Sequence, residues 1–148
     1  GGSTRQESVA RALAVLPPDV DVVLVHDAAR PLAPSELVAA VVTAVRSGAD
    51  AVVPGIALAD TVKRVDPAGR VEATVDRSVL RAVQTPQGFR RPVLEAAHAA
   101  YAAGAPDEAT AATDDAGLVE RISGTVMAFG DSCGPCHSPC PWPACAAS

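Results

Sequence analysis

Residues 22–31 read Val-Val-Leu-Val-His-Asp-Ala-Ala-Arg-Pro, and this segment carries the clearest prediction of the fold. Its four leading residues are apolar and mostly β-branched, which predicts a strand covered on both faces, as in a parallel sheet. Asp27 and Arg30 follow the strand directly. In open α/β sheets ligands bind at the carboxyl ends of the strands, so these two side chains are the first candidates for a site.

The chemistry of the two candidates is complementary. A carboxylate such as Asp27 can hold Mg²⁺, which prefers oxygen ligands and often bridges to substrate phosphates. The guanidinium of Arg30 offers a planar fork of donors that suits a phosphate. Spacing alone leaves a second interpretation open, in which Asp27 caps a turn and Arg30 is a solvated surface charge.

The segments on either side of this stretch alternate between helix and strand patterns. Residues 3–16 have capping-box spacing and one apolar stripe, and Pro17-Pro18 ends that helix. A second helix opens at Pro34 and ends at Gly48, which occupies the position favoured for a helix-terminating glycine. Residues 51–53 begin the next strand. Strand, helix and strand with short links form the crossover unit of an α/β sheet.

A hairpin interrupts this alternation. The strand-like stretches 61–65 and 71–75 flank Asp66-Pro67-Ala68-Gly69, which has the composition of a turn. We define the arm as residues 58–76. A two-stranded excursion has little core of its own, so the arm is expected to pack on something else, for which a partner subunit is the natural candidate.

The rest of the chain supplies two more helices and a last strand. Residues 91–103 and 114–122 have helical patterns, with Thr113 as the expected N-cap of the second helix. Residues 125–129 are expected to form a strand, and Thr85-Pro86-Gln87 is interpreted as a turn.

Composition limits the function classes. The chain has 148 residues, 12 Lys+Arg against 17 Asp+Glu, and a net charge of −5, which suits one globular domain. An acidic chain without a basic run is not expected to bind nucleic acid. No stretch approaches the ~20 apolar residues of a membrane span. No secretory signal is visible, so a cytoplasmic location is expected.

The last residues differ from the body of the chain. All four cysteines, Cys133, Cys136, Cys140 and Cys145, lie in residues 131–148, which are rich in proline. Their soft ligands could build a tetrahedral zinc site, although the prolines oppose a fold around the metal. A translated frameshift of a GC-rich gene would give the same mixture. We therefore assign residues 1–130 to the domain and 131–148 to an irregular tail outside the fold.

Several motifs in a fixed order carry a resemblance to a known family. They are Gly-Gly-Ser-Thr-Arg-Gln-Glu-Ser-Val (1–9), Val-His-Asp-Ala-Ala-Arg-Pro (25–31), Asp-Thr-Val-Lys-Arg (60–64), Val-Asp-Arg (75–77), Gln-Thr-Pro-Gln-Gly-Phe (84–89) and Thr-Asp-Asp-Ala (113–116). Over residues 1–130 the chain resembles the 2-C-methyl-D-erythritol 4-phosphate cytidylyltransferases. The resemblance implies a Rossmann-like nucleotidyltransferase fold of the glycosyltransferase-A type, an α/β three-layer sandwich that is incomplete here and carries the arm as an insertion.

The resemblance also implies a reaction. The phosphate of methylerythritol phosphate attacks the α-phosphorus of CTP and pyrophosphate leaves, with Mg²⁺ or another divalent cation bridging the phosphates. The alternatives are a cytidylyltransferase for another polyol phosphate, such as ribitol 5-phosphate, and a non-catalytic zinc-binding or interaction module.

Residue roles follow from the same match. Asp27 and Arg30 are implied as catalytic residues, with Asp27 as the metal ligand. Nucleotide binding is implied for Gly2, Ser3 and Ser8, and substrate binding for Ala28, Thr61, Arg77 and Thr85. Thr61 and Arg77 are expected to enter a neighbouring subunit's site from the arm, which makes a homodimer the expected assembly.

We predict negligible cytidylyl transfer by the chain as written. The family carries a Gly-rich loop with an Arg and a Lys ahead of the position matching Gly1, and a further Lys after its last strand. Here no lysine follows Lys63. Losing one such electrostatic group commonly costs ~10²- to 10³-fold in rate. Product formation from CTP and methylerythritol phosphate is the measurement, and turnover near that of an intact family enzyme would contradict the prediction.

Overall fold

The computed structural model describes residues 1–104 and 112–130, and these form an α/β domain in three layers. The helices are α1 (Arg5–Leu13), α2 (Ser35–Arg46), α3 (Arg91–Gly104) and α4 (Asp115–Arg121), and the strands are β1 (Val22–Val25), β2 (Ala51–Ala57), β3 (Val62–Val65), β4 (Val71–Val75), β5 (Arg81–Val83), β6 (Gln87–Arg90) and β7 (Val126–Phe129). The predictions for the tail, including the zinc alternative, concern residues outside the described ranges.

The main sheet is mixed. Strand β6 lies between β1 and β2 and is antiparallel to both, while β7 pairs in parallel with the other side of β2. The expectation of a parallel neighbour for residues 22–25 is therefore wrong. Strands β1 and β2 do run in the same direction. The chain then returns antiparallel to β2, first as β5 and then as β6, and β6 occupies the position between β1 and β2.

Both faces of the sheet are covered, as predicted. Val23 and Val25 pack into a core formed with α1, α3 and α4, whose centre is the fully buried Phe89. Val22 and Leu24 face the opposite way, into a second core under α2. The alternation of side chains along a strand thus joins two helical layers through one sheet, which is the predicted three-layer sandwich.

Helix ends confirm most of the sequence expectations. Thr4 caps α1, and its hydroxyl accepts a hydrogen bond from the Glu7 amide. Gly48 follows α2 with φ of +119°, a conformation that L side chains rarely adopt. The expected cap of α4 at Thr113 is wrong by one residue, because the Asp114 carboxylate accepts from the Gly117 amide at 2.9 Å. An aspartate one residue further along satisfies the same donor.

The arm forms as predicted and stands apart from the main sheet. Strands β3 and β4 pair only with each other among the described strands. Asp66 closes their turn by accepting hydrogen bonds from the Ala68 and Arg70 amides, each at 2.9 Å. Val65 and Val71 are more than half exposed.

Within the described ranges, no helix is long and apolar enough to cross a membrane.

Adding a methyl group at Gly88 tests the packing of α2 on the sheet. A Cβ there would overlap Val41 and lie 3.1 Å from a methyl of Val45. We expect Gly88→Ala to lower the free energy of unfolding by about 1–3 kcal/mol, as overpacking does. Chemical denaturation of Gly88→Ala, Val41→Ala and the double variant is the measurement.

The double variant supplies the control, because Val41→Ala removes the methyl groups that the new Cβ meets. The double variant should lose less stability than the sum of the two single losses. Strict additivity would show that the two side chains do not compete for space.

Candidate functional site

The first part of the site is a tight turn at the end of β1. The Arg30 amide donates to the Asp27 carbonyl at 2.9 Å, and His26 Nε2 lies 2.8 Å from the Arg30 carbonyl oxygen. Arg30 Nε is 3.6 Å from Asp27 Oδ2, and both side chains are about half exposed. Ala28 is exposed between them. The turn therefore holds a carboxylate and a guanidinium side by side at the carboxyl end of β1.

A second segment reaches this turn from the start of β6. Thr85 Oγ1 accepts a hydrogen bond from the Asp27 amide at 3.3 Å, and Gln84 Oε1 accepts one from Arg30 Nη1. The backbone amide of Gln84 donates to the Pro54 carbonyl of β2 at 2.7 Å. Two motifs separated by more than fifty residues in the chain are thus brought together, and Asp27, Arg30 and Thr85 form one group.

A cavity of about 480 Å³ opens beside this group. Its polar lining comes from Arg30, Gln84 and Thr85, and most of the other lining residues are apolar. The lining is completed by Ala29, Pro31, Leu32, Ala33, Pro34, Leu37, Pro54, Gly55, Ile56 and Gly130. A few convergent polar groups in an apolar hollow are typical of a small-molecule site.

The second group of expected site residues lies at the beginning of α1. Ser8 Oγ accepts from the Gly2 amide at 2.8 Å and donates to the Thr4 carbonyl at 2.9 Å. The Glu7 carboxylate accepts from the amide and the hydroxyl of Ser3. A Cβ on Gly2 would lie 2.5 Å from that of Glu7, so only glycine fits. Side chains of α1 thus fold residues 1–4 back onto the helix.

The remaining expected residues, Thr61 and Arg77, lie at the base of the arm and are exposed. Arg77 Nη1 donates to the Ala59 carbonyl, and Asp76 caps the turn that follows β4. The site residues therefore fall into three groups, at the end of β1, the start of α1 and the base of the arm. The cavity contacts the first group, through Arg30 and Thr85, but neither of the others.

Sequence reasoning missed a buried polar cluster between α1, α3 and α4. Asp115 is fully buried, and its Oδ1 accepts from His98 Nε2 at 2.9 Å. Arg5 Nη2 lies 2.7 Å from Asp115 Oδ2, an ion pair that lacks the alignment of a hydrogen bond. His98 is thus a packed residue. The signal was present in the sequence, since the adjacent acids Asp114 and Asp115 open α4.

Gln87 was missed for a related reason. It is buried at the start of β6, and its Nε2 donates to Asp114 Oδ2 at 2.7 Å. A strand that reads Gln-Gly-Phe-Arg has neither alternation nor β-branched residues, so Gln87 was interpreted as part of a turn and no strand was predicted at residues 87–90. Buried polar side chains need such partners, and the pairing shows that Gln87 belongs to the interior.

We predict that Glu7 titrates far below an ordinary glutamate. Hydrogen bonds from the Ser3 hydroxyl and amide, and then the Arg11 guanidinium, lower the pKa of Glu7 from 4.5 to about 2. The contact therefore stabilises the fold fully above pH 4.5 and is lost as the pH falls towards 2. Carbon-detected NMR titration of the Glu7 carboxyl measures this pKa. Ser3→Ala should move the pKa back towards 4.5, and a midpoint near 4.5 in the unsubstituted chain would contradict the prediction.

Comparisons with known proteins agree on one family. The sequence profile of the 2-C-methyl-D-erythritol 4-phosphate cytidylyltransferases matches residues 1–131. A cytidylyltransferase of this name from Frankia casuarinae is 60% identical over 122 residues, which are 82% of this chain and 43% of the relative. Another from Saccharopolyspora erythraea is 58% identical over 129 residues, 85% of this chain and 54% of the relative. The chain thus spans about half the length of these curated relatives.

A solved structure from the same family supports the fold. The 2-C-methyl-D-erythritol 4-phosphate cytidylyltransferase of Thermus thermophilus superposes with a TM-score of 0.75 at 37% identity, over 89% of this chain and 61% of that one. Because the profile covers nearly all described residues and the curated relatives share more than half of their aligned residues, the chain belongs to the 2-C-methyl-D-erythritol 4-phosphate cytidylyltransferase family.

Proposed function

We propose that this chain serves the transfer of a cytidylyl group from CTP to 2-C-methyl-D-erythritol 4-phosphate, with release of pyrophosphate. The family is one of nucleotidyltransferases, and the reaction supplies isoprenoid precursors outside the mevalonate route. The observation that supports this best is the contact of Asp27 and Arg30 with the Gln84-Thr85 turn beside an open cavity. That contact supplies an acid, a guanidinium and a hydroxyl, which is the chemistry that a site for two phosphorylated ligands requires.

Arg30 is the proposed phosphate ligand. Its guanidinium is half exposed and contacts Gln84 Oε1 and Asp27 Oδ2, two acceptors that an incoming phosphate can replace. The guanidinium would exchange its contacts with the neutral Gln84 oxygen and the Asp27 carboxylate for a charge-assisted, bidentate contact with the phosphate. Thr85 remains available to donate its hydroxyl proton to the same ligand, because its oxygen is the acceptor for the Asp27 amide. These groups orient the attacking phosphate and share its charge.

The residues around Asp27 fit a magnesium ion. The carboxylate is about half exposed, and a hard oxygen ligand of this kind suits Mg²⁺, which commonly takes one or two carboxylates together with substrate phosphates. Among the residues the structure describes, no three His, Cys, Asp or Glu side chains converge on one point. Asp27 would therefore hold the ion with phosphate oxygens and water. When bound, the cation neutralises charge that develops between the phosphates.

The loop at α1 is the proposed cytosine site. The hydroxyl of Ser8 orders the Gly2 backbone, and the side chain of Glu7 orders Ser3. Because the backbone of this loop is already ordered, it can form hydrogen bonds with the edge of a base and loses little conformational entropy on binding. The hydroxyl protons of Ser3 and Ser8 are donated within the loop, so each hydroxyl oxygen keeps a lone pair that can accept a hydrogen bond from the base.

The arm is the proposed dimer contact, with Thr61 and Arg77 lent to a partner's polyol phosphate site. Its strands hold exposed apolar residues, among them Val65 and Val71, and Val79 is exposed just beyond the arm. Exposed apolar residues clustered on a two-stranded excursion favour a protein partner. The cytoplasm is the proposed compartment, since residues 1–130 contain no cysteine and need no oxidising environment.

Ligand binding to the chain tests the function without requiring turnover. NMR titration with CTP and Mg²⁺ should shift the amides of Gly2, Ser3 and Ser8, and methylerythritol phosphate should shift those of Arg30 and Thr85. Asp27→Asn should weaken CTP binding in the presence of Mg²⁺ by about tenfold, or ~1.4 kcal/mol, because the metal loses its carboxylate ligand.

Asp21→Asn is the matched control, because Asp21 is an exposed aspartate paired with Arg46 at 3.2 Å, and it should leave binding unchanged. Ribitol 5-phosphate, titrated in the same way, decides between the two polyol phosphates. The proposal fails if neither CTP nor either polyol phosphate shifts these amides.

A further inference from the structure

The N-terminus of α4 contacts two parts of the proposed site at once. Asp115 pairs with Arg5, the first residue of α1, at 2.7 Å. Asp114, its neighbour, pairs with Gln87 of β6 at 2.7 Å. Arg5 directly follows the loop that carries Gly2 and Ser3, whereas Gln87 comes two residues after Thr85. Two adjacent acids therefore reach towards the two separate groups of site residues.

We propose that Asp114 and Asp115 are positioning residues for the transfer reaction. Asp115 positions the proposed cytosine loop through Arg5, and Asp114 positions Thr85, in the proposed phosphate site, through Gln87. The inference rests on the proposed function. It assigns no contact between these acids and a ligand, since both act through other residues.

Burial makes the link through Asp115 firm. Its carboxylate is fully buried and shares its charge between His98 on α3 and Arg5 on α1. Arg5 Nη1 is buried and has no hydrogen-bond partner among the described residues. Asp115 is therefore the anion that holds the Arg5 head group in place. Removing one partner of such a pair leaves the other charge buried without compensation.

A second contact fixes the same two elements. Gln6 Nε2 donates to the Ala112 carbonyl, just before α4, at 2.8 Å. Two consecutive residues of α1 are thus tied to the segment that opens α4. The first turn of α1 has little freedom to move relative to α4, and neither does the loop that Ser8 and Glu7 fold back onto it.

The link through Asp114 is equally direct. One carboxylate oxygen caps α4 by accepting from the Gly117 amide, and the other accepts from Gln87 Nε2. Gln87 is buried. Thr85, two residues before it in the chain, accepts a hydrogen bond from the Asp27 amide through its hydroxyl oxygen. A shift of Gln87 would therefore move the hydroxyl that meets the Asp27 turn.

The experiment separates the two links by ligand. Arg5→Met keeps the aliphatic stem but removes the charge, and Arg5→Lys restores the charge. We expect Arg5→Met and Asp115→Asn to weaken CTP binding about tenfold and methylerythritol phosphate binding less than twofold. Arg5→Lys should recover most of the CTP affinity. Asp21→Asn, in an exposed ion pair, is the control.

Asp114→Ser tests the other link. Serine retains an N-cap oxygen but is too short to reach Gln87, so α4 keeps its cap. We expect weaker methylerythritol phosphate binding, by about five- to tenfold, with CTP affinity unchanged. This opposite selectivity is a result that general loss of stability cannot give, because unfolding lowers both affinities together.

Amide chemical shifts of the free chain give a readout that needs no ligand. Arg5→Met should move the Gly2, Ser3 and Ser8 resonances and leave that of Thr85 in place. If Asp115→Asn does not fold, Arg5→Met decides, since Arg5 is partly exposed. Unchanged affinities and shifts, or equal loss of both ligands, would overturn the inference. Failure of the unsubstituted chain to bind either ligand would instead refute the proposed function.

Discussion

The insertion of β6 between β1 and β2 is the constraint on which the rest of the structure depends. Gly88 faces Leu24 of β1 on one side and Val52 of β2 on the other. Side chains of α2 occupy the space that a Cβ at Gly88 would need. Because β6 fills this gap, the residues that lead into it arrive beside the end of β1. The contact between Thr85 and the Asp27 amide is a direct consequence of strand order.

The same insertion explains why the domain needs a polar interior. Strand β6 begins with Gln87 inside the protein, and its buried Nε2 group needs an acceptor. Asp114 supplies the acceptor and so brings the N-terminus of α4 against the sheet. Asp115 then lies between α1 and α3, where the Arg5 guanidinium balances its charge and His98 Nε2 forms a hydrogen bond with it. Exposed pairs such as Asp21 with Arg46 contribute little by comparison, since water screens them and their side chains lose entropy on pairing.

Much of this could be predicted from local patterns, and the remainder depends on long-range pairing. The apolar run at 22–25, the helix closing at Gly48 and the arm with its Asp66 turn each follow from short-range rules, and the structure confirms them. The antiparallel neighbour of β1 could not be predicted, because residues 87–90 resemble no strand and gain their pairing only from the gap between β1 and β2. The cap of α4 was misplaced by one residue for a local reason, since Thr113 and Asp114 are both good caps.

The residues of the candidate site show the same difference between local patterns and long-range pairing. The motif around Asp27 and Arg30 was recognisable because it follows an apolar strand, and the structure brings it into contact with Thr85 at the carboxyl end of β1. Arg5, Gln87 and Asp115 were not recognisable as a set, because each pairs with a partner far away in the sequence. Short polar motifs mark the candidate ligand-facing residues, whereas the residues that hold them are defined by tertiary contacts. For this reason the proposed influence of the buried cluster on binding rests on the structure and not on a sequence motif.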